Sequence, residues 1–131
     1  MRVSNQGARQ CISDWRVFHT NTRSMFGEWR GKLYAAWSYG FHFPLCVYDS
    51  EAKLWFHNVD HYSVTTTEHK RCAGYRGLGV STEQLQAIID AGGLVDMGVA
   101  RMRQGEPPEY TSPEWIETAM RNRSNQPGVH A

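Results

Sequence analysis

The segment from Ser24 to His57 constrains the fold more than any other part of the chain. It is rich in aromatic, β-branched and other apolar residues, and glycine and proline interrupt it at short intervals. Short apolar runs between turn residues are typical of β-strands. The pattern predicts four strands, near residues 24–29, 32–38, 43–48 and 53–57.

The last two of these strands are predicted to form a hairpin around the polar turn Asp49-Ser50-Glu51. Because side chains on a strand alternate between its two faces, each strand contributes to both faces of the hairpin. One face is predicted to carry Leu45, Val47, Leu54 and Phe56, and the other Cys46, Tyr48, Trp55 and His57.

Helical patterns flank this strand-rich segment. Apolar positions three and four apart predict a helix over residues 6–18. Ser63 is a candidate N-cap for a second helix, and Ser81-x-x-Gln84 is typical of the capping box that starts another. A last helix is predicted from residue 112, where serine is followed by proline at the first helical position.

These patterns predict an α+β fold, with a small antiparallel sheet of about four strands packed by three or four helices. A chain of 131 residues fits one domain, so residues 1–131 are predicted to form a single domain with a flexible tail at 122–131. Three cysteines, none in a CxxC pair, favour a reducing cytoplasm. No apolar run approaches the roughly 18 residues that a membrane span needs, so no membrane contact is predicted.

The net charge of +1 argues against a protein that coats nucleic acid by bulk electrostatics. The charge is uneven, however, because the first 35 residues hold six basic and two acidic side chains. This basic third could face phosphate or an acidic partner, or it could be an ordinary solvated surface.

The candidate chemistry is concentrated in one segment, Trp37–Arg76. Its first string reads WSYGFHFPL, in which Gly40 permits a sharp turn and Pro44 removes a backbone donor. Tyr39 and His42 are therefore predicted to be the polar groups of a stiff, aromatic-lined corner.

A second string, DHYSVTTTEHK, spans the start of the predicted second helix. Thr66 and Lys70 are expected to share one helix face, as are Thr65 and His69, because each pair is four residues apart. Hydroxyl groups and unpaired backbone amides in the first turn of a helix form a natural site for an anionic group.

The two strings resemble motifs of small proteins from bacteriophages and related mobile elements. Those proteins carry a strand similar to YSYGxHFP(I/L)A and, after a short hairpin, a motif similar to YS(V/S)TT(S/A)xHK. The counterparts here are residues 38–45 and 62–70, in the same order and at the same spacing. Cys46 departs from the pattern, since the family more often has a small residue such as alanine there.

The resemblance covers about forty of the 131 residues. It implies an accessory protein made in the cytoplasm of an infected or plasmid-bearing bacterial host cell. Such proteins often counter host defences by binding nucleases, guide-RNA complexes or signalling nucleotides. The family has no settled biochemical activity, so the resemblance implies a biological setting and no particular reaction.

Catalysis is one hypothesis for this segment. Histidine titrates near neutral pH, so His42 and His69 are candidate acid and base for phosphodiester cleavage. Tyr62 or Tyr39 could orient the two rings, and Lys70 could stabilise the phosphate charge. The hypothesis requires the two imidazoles to converge in space.

Metal binding is a second hypothesis. His57, His61 and His69 with Asp60 are ligand types that suit zinc or manganese. The His57-x3-His61 spacing suits a helix, yet it falls at a strand end and the following loop, and no cysteine stands at zinc-ligand spacing. We therefore predict no metal and no other cofactor.

Recognition without catalysis is the interpretation that we favour. Aromatic rings among Arg, Lys and hydroxyl groups can stack bases and hold phosphates, or act as protein–protein hot spots. The candidate binding residues are Tyr39, His42, Trp55, Tyr62, Thr65, Thr66, His69 and Lys70, with Arg9 and Arg16 from the first helix. Because the net charge is only +1, we expect a host protein or ribonucleoprotein as the partner, with free nucleic acid as the alternative.

The expected function is inhibition of a bacterial defence system, in the manner of an anti-CRISPR protein. A nucleic-acid-binding protein or a small histidine-dependent phosphodiesterase is the alternative function. A structural interpretation is compatible with each: His42 hydrogen-bonds His69 or a threonine and clasps the sheet to the helix.

Overall fold

The computed structural model describes residues 2–21, 24–41, 43–61 and 64–97, with Val64 and Thr65 described by their backbone alone. The strands are β1 (Arg2–Val3), β2 (Phe18–Thr20), β3 (Met25–Arg30), β4 (Leu33–Ser38), β5 (Pro44–Asp49), β6 (Leu54–Asn58) and β7 (Leu78–Val80). The helices are α1 (Asn5–Ser13), α2 (Val64–Ala73) and α3 (Thr82–Ala91). Residues 94–97 form a further helical turn.

The strands form one mixed sheet in the order β1-β2-β3-β4-β5-β6-β7. β1 and β2 are parallel, β6 and β7 are parallel, and the pairings from β2 to β6 are antiparallel. The prediction of a small antiparallel sheet of about four strands is therefore wrong, although the fold is still α+β in kind. The strands that it missed (β1, β2 and β7) are two or three residues long, which is too short for a periodic signal.

The four strands that the sequence predicts are present, each within one residue at either end. The predicted hairpin is confirmed, with Val47 opposite Phe56 across β5 and β6. The predicted alternation fails at Leu45, because the pairing of β4 with β5 shifts register near the end of β4. Leu45 consequently packs on the face opposite Val47.

The second and third helices begin where the sequence predicts. The Ser81 hydroxyl accepts the Gln84 backbone N–H at 3.1 Å, and the Gln84 side chain accepts the Ser81 N–H at 2.8 Å. This capping box is therefore confirmed. The N-cap candidate Ser63, the helix predicted from residue 112 and the tail at 122–131 lie outside the described residues.

The first helix is shorter than the predicted span of 6–18. It ends at Ser13, and Phe18 belongs to β2. Trp15 adopts a left-handed φ of 54°, which an α-helix cannot continue through. The apolar residues whose spacing predicted one long helix therefore belong to a helix, a turn and a strand.

The sheet separates two apolar clusters. α1 and α2 cover one face, where Ile12 and Tyr34 are among the fully buried side chains. α3 and the turn at 94–97 cover the other face, where Trp37 and Ile88 are fully buried. The described part of the chain therefore forms three layers, with the sheet in the middle.

Buried Asp49 fastens the turn at 94–97 to the β5–β6 hairpin. Its Oδ1 accepts the N–H groups of Glu51 and Ala52, each at 3.0 Å. Its Oδ2 accepts the N–H of Leu94 at 2.8 Å. One carboxylate therefore shapes the hairpin turn and also holds the first residue of the helical turn.

Five strands point in the same direction, because each antiparallel step reverses the chain and each parallel step preserves its direction. The carboxyl ends of β1, β2, β4, β6 and β7 consequently lie along one edge of the sheet, which we term the carboxyl edge. α1, α2 and α3 each follow one of these strands, so their first turns also lie at this edge. In open α/β sheets such an edge is where ligands usually bind.

Candidate functional site

The turn that follows β4 presents two aromatic rings at the carboxyl edge. Tyr39 and Phe41 are 51% and 50% exposed. Tyr39 has a φ of 55° and Gly40 a φ of 104°, and such a left-handed backbone is uncommon for a residue with a bulky side chain. The Tyr39 N–H donates to the Ser24 carbonyl at 2.8 Å, which anchors the turn to β3. A strained backbone that displays exposed rings indicates a candidate functional site.

A buried group of hydroxyls surrounds one imidazole beneath this turn. This hydroxyl–imidazole cluster consists of Thr20, Ser24, Ser38, Thr66 and His69, none more than 9% exposed. The Ser38 hydroxyl lies 2.7 Å from His69 Nδ1 and 3.3 Å from the Thr66 hydroxyl. The Ser24 hydroxyl lies 3.5 Å from His69 Nε2 and 3.4 Å from the Thr20 hydroxyl. The cluster thereby joins β2, β4 and the residue that precedes β3 to α2.

The cluster also supports the exposed turn. The Tyr39 ring and the His69 imidazole have centroids 5.4 Å apart. Within the described residues, Ser38 links the sheet to α2, because its hydroxyl meets both the His69 imidazole and the Thr66 hydroxyl. The clasp predicted through His42 remains a prediction. His42 and Tyr62 lie outside the described residues.

Burial governs what His69 can do chemically. It lowers the pKa of His69, so the ring is neutral at neutral pH. A neutral imidazole has one donor and one acceptor, and here each ring nitrogen faces a serine hydroxyl. With 2% of the residue exposed, the ring has no surface to offer a phosphodiester. This geometry supports a structural role for His69 and opposes the role of acid or base.

Lys70 is likewise engaged by the scaffold. It is 8% exposed, and its Nζ donates to the Asp60 carbonyl at 2.7 Å. Thr66 is 1% exposed, so the helix face that it shares with Lys70 is turned toward the interior. Of the side chains described in the first turn of α2, Thr66 is buried and Thr67 is half-buried, so neither is fully exposed to an anion. The side chain of Thr65 is not described.

Asp60 connects the end of β6 to the first turn of α3. Its Oδ2 accepts the Thr82 N–H at 2.7 Å, and its own N–H donates to Asn58 Oδ1 at 2.7 Å. Asn58 in turn donates to the Thr82 hydroxyl at 2.9 Å. The hydrogen bonds from Thr82 hold the pKa of Asp60 below its ordinary value, so the carboxylate is ionised at neutral pH. A fixed negative charge therefore lies at the carboxyl edge.

Three predicted binding residues do not join the exposed turn. Trp55 is only 6% exposed and packs under the Arg76 guanidinium at 5.3 Å, so it offers little surface for the binding role predicted for it. Arg9 is exposed on α1 and donates to the carbonyl of Arg71 in the last turn of α2. Arg16 precedes β2 and consequently lies toward the opposite edge of the sheet.

The candidate metal ligands are also separated. His57 Nδ1 lies 3.1 Å from the Arg76 carbonyl, whereas His69 lies within the hydroxyl–imidazole cluster. Within the part of the chain that the structure describes, no three His, Cys, Asp or Glu side chains are close enough to hold a metal ion. The cysteines are free, and burial raises the pKa of the Cys46 thiol to about 12, which suppresses its reactivity.

A groove runs between the exposed turn and α3. Its lining comprises Phe41, Asp60, Thr82, Glu83, Gln86, Ala87 and Asp90. We term it the α3 groove. Phe41 is fixed in position because the Phe26 and Trp37 rings meet it edge-on at 5.1 Å and the Arg30 guanidinium lies 4.3 Å from its centroid. The groove thus has one rigid aromatic wall.

Sequence reasoning missed the serine members of the cluster. Ser38 ends a strand whose six residues are all buried, so the available signal was a hydroxyl at the end of an apolar run. Ser24 lies just before β3, where a hydroxyl is common in turns and gives no signal of its own.

Comparison with known proteins finds no match to this chain among protein-family models, curated proteins or solved structures. Among the described helices, none combines the length and apolar character that crossing a membrane requires.

Proposed function

We propose that this chain is a binding protein of the phage or mobile-element type that acts in the bacterial cytoplasm. Its target is a host protein or ribonucleoprotein, and the consequence of binding is inhibition of a defence system, as with anti-CRISPR proteins. The observation that carries the proposal is the exposed aromatic turn at Tyr39–Phe41, presented by a rigid support.

Rigid aromatic rings suit recognition. Tyr and other large aromatic residues dominate binding energy at protein interfaces when they are well supported. Tyr39 is fixed by its backbone bond to Ser24 and by its contact with His69, and Phe41 by three neighbours. Little side-chain freedom is then lost on binding, which lowers the entropic cost.

The local charge favours a protein surface over free nucleic acid. The α3 groove beside Phe41 contains the carboxylates of Asp60, Glu83 and Asp90. Arg30 packs on Phe41 and Lys70 bonds the Asp60 carbonyl, so carboxylates outnumber the adjacent cations. Phosphate groups would be repelled there. The basic residues Arg9 and Arg16 lie away from this site.

The test is capture of a partner from bacterial lysate by the tagged full chain, with and without nuclease treatment. We expect a protein partner to be recovered in both arms by the wild type. Tyr39→Ala combined with Phe41→Ala should reduce recovery at least tenfold. Tyr75→Ala is the control, because Tyr75 is 56% exposed and follows α2, away from the exposed turn.

Each other outcome has a definite meaning. Recovery of nucleic acid without an accompanying protein in the untreated arm would favour nucleic-acid binding instead. An absence of any partner in either arm, or equal loss in the Tyr75→Ala control, would contradict binding through the exposed turn. Circular dichroism of each variant ensures that a loss of binding is not a loss of folding.

A further inference from the structure

We infer that the α3 groove binds an arginine- or lysine-bearing segment of the partner protein in an extended conformation. This inference rests on the proposed function and names the chemistry that its partner must present. Three features of the groove lead to it: its length, its charge and its aromatic wall.

The length follows from the spacing of the groove residues on α3. Glu83, Gln86, Ala87 and Asp90 are three, four and seven residues apart, so they lie on one helix face. Seven residues of α-helix extend about 10 Å. At about 3.3 Å per residue, an extended chain places three residues along that distance.

The charge of the groove selects a cationic segment. Glu83 and Asp90 are exposed at its two ends along α3, and Asp60 lies beside the first turn. The Gln86 amide donates to Asp90 Oδ1 at 2.9 Å, which orients that carboxylate. Positive side chains at alternate positions of an extended segment can therefore reach carboxylates near both ends of the groove.

The aromatic wall accounts for the preference for long basic side chains. Lys and Arg carry an apolar stem that packs on hydrophobic surface while the charged head remains in a polar environment. Phe41 offers half of its surface to the groove and solvent, and exposed Ala87 leaves room opposite the ring. Arg30 shows within this chain that a guanidinium packs on the Phe41 ring.

The experiment uses the full chain and a synthetic nine-residue peptide in which arginine alternates with glycine. A second peptide replaces each arginine with the neutral isostere citrulline. We expect the arginine peptide to bind, as measured by fluorescence anisotropy, and the citrulline peptide to bind at least tenfold more weakly. Raising the salt concentration should weaken binding of the arginine peptide, because salt screens ion pairs at an exposed groove.

Matched charge variants locate the binding. Glu83→Gln combined with Asp90→Asn should reduce affinity for the arginine peptide at least fivefold. Asp14→Asn combined with Glu68→Gln removes the same charge from exposed residues elsewhere and should leave the affinity within twofold. Equal losses in the two double variants would reveal non-specific attraction and overturn the inference, as would a wild type that fails to bind.

Other occupants give different results. The groove variants also remove a favourable first-turn charge and the Gln86–Asp90 hydrogen bond, so urea unfolding is used to confirm that each variant is folded where binding is measured. If the groove variants and the wild type differ in oligomeric state on gel filtration, a second copy of this chain occupies the groove, and the inference is overturned. If lysate partner capture depends on Tyr39 and Phe41 but not on Glu83 and Asp90, the groove inference fails while the proposed function stands.

Discussion

His69 occupies the centre of the hydroxyl–imidazole cluster, from which it supports the exposed turn. Its two ring nitrogens face Ser38 of β4 and Ser24 before β3, and its ring supports Tyr39. A buried polar group that loses its partner incurs a desolvation penalty of about 1–3 kcal/mol. The position of the exposed turn should therefore depend on these buried bonds.

A double-mutant cycle tests this coupling. Ser38→Ala should lower the free energy of unfolding by about 1–3 kcal/mol, because it leaves His69 Nδ1 without its closest hydroxyl. His69→Leu should also destabilise the chain, yet the double variant should lose less than the sum of the two single losses. Urea unfolding provides the measurement. Strictly additive losses would show that the two side chains do not interact.

The pH dependence of stability should carry the signature of His69. Its folded-state pKa lies below the ordinary value of 6.5, so the unfolded chain binds the proton more readily. The contribution of His69 to the stability of the fold is present in full above pH 6.5 and is lost as the pH falls from 6.5 toward the folded-state pKa. Asp60 acts in a lower window, because its lowered pKa protects stability until the pH falls below its ordinary value of 3.8.

The expected result is a loss of unfolding free energy as the pH falls below 6.5, and His69→Gln should reduce that loss. His61→Gln is the control, since His61 is exposed. Urea titrations at a series of fixed pH values give the change of unfolding free energy with pH for the wild type and each variant. An unchanged slope in His69→Gln would show that another group governs this range.

The candidate site could be predicted from the sequence only in part. Tyr39 is exposed as a member of the predicted aromatic corner, and its ring contacts His69. Thr66 joins the same cluster through Ser38, whereas Lys70 bonds the Asp60 carbonyl. The burial of His69 could not be predicted from local spacing, because its closest hydrogen-bonding partner is Ser38, 31 residues earlier in the chain. Local spacing predicts which side chains share a helix face, while the direction of that face depends on distant partners.

At the level of secondary-structure elements, the attachment of β7 to β6 depends on one glycine. Gly77 has a φ of +67°, and a Cβ there would lie 2.0 Å from the Trp55 carbonyl oxygen. Gly31 has a similar φ of +59° but has no atom within 4 Å of such a Cβ. The two positions therefore separate backbone strain from steric clash.

Alanine substitutions at these glycines should differ in cost. Gly31→Ala should lower the free energy of unfolding by about 1–2 kcal/mol, which is the cost of a left-handed backbone with a side chain. Gly77→Ala should lose at least about 2 kcal/mol more, because the carbonyl of β6 must move. Thermal and urea unfolding compare the two. Similar losses would mean that β7 shifts freely, and that its pairing with β6 matters little.

The elements themselves could be predicted according to their length. Strands of five or six residues and the capped α3 produce clear periodic or capping signals. The three remaining strands are β1, β2 and β7, which are held by parallel pairing or by a short turn. Each has only two or three residues, which is too few to show the alternating pattern of a strand. Parallel pairing at both ends of the sheet arises from the packing of α1 and α2 on one face, which no local pattern encodes.

At the scale of the whole molecule, the sheet links two cores that should unfold together. Ile12 and Ile88 are fully buried on opposite faces. Each substitution to alanine should reduce the free energy of unfolding by about 2–5 kcal/mol. Because the sheet is common to both cores, tryptophan fluorescence and far-UV circular dichroism should give coincident transitions in each variant. Separate transitions would show that one layer unfolds independently.

The two outer strands of the sheet have a consequence for how the chain behaves at high concentration. β1 has two residues and β7 has three, so the described edges expose few backbone groups to a further strand. Long unpaired edges template polymerisation of one chain on another, and short edges suppress it. We therefore expect the described sheet to be a poor template for fibrils in a crowded solution, so that association at high concentration proceeds through side chains.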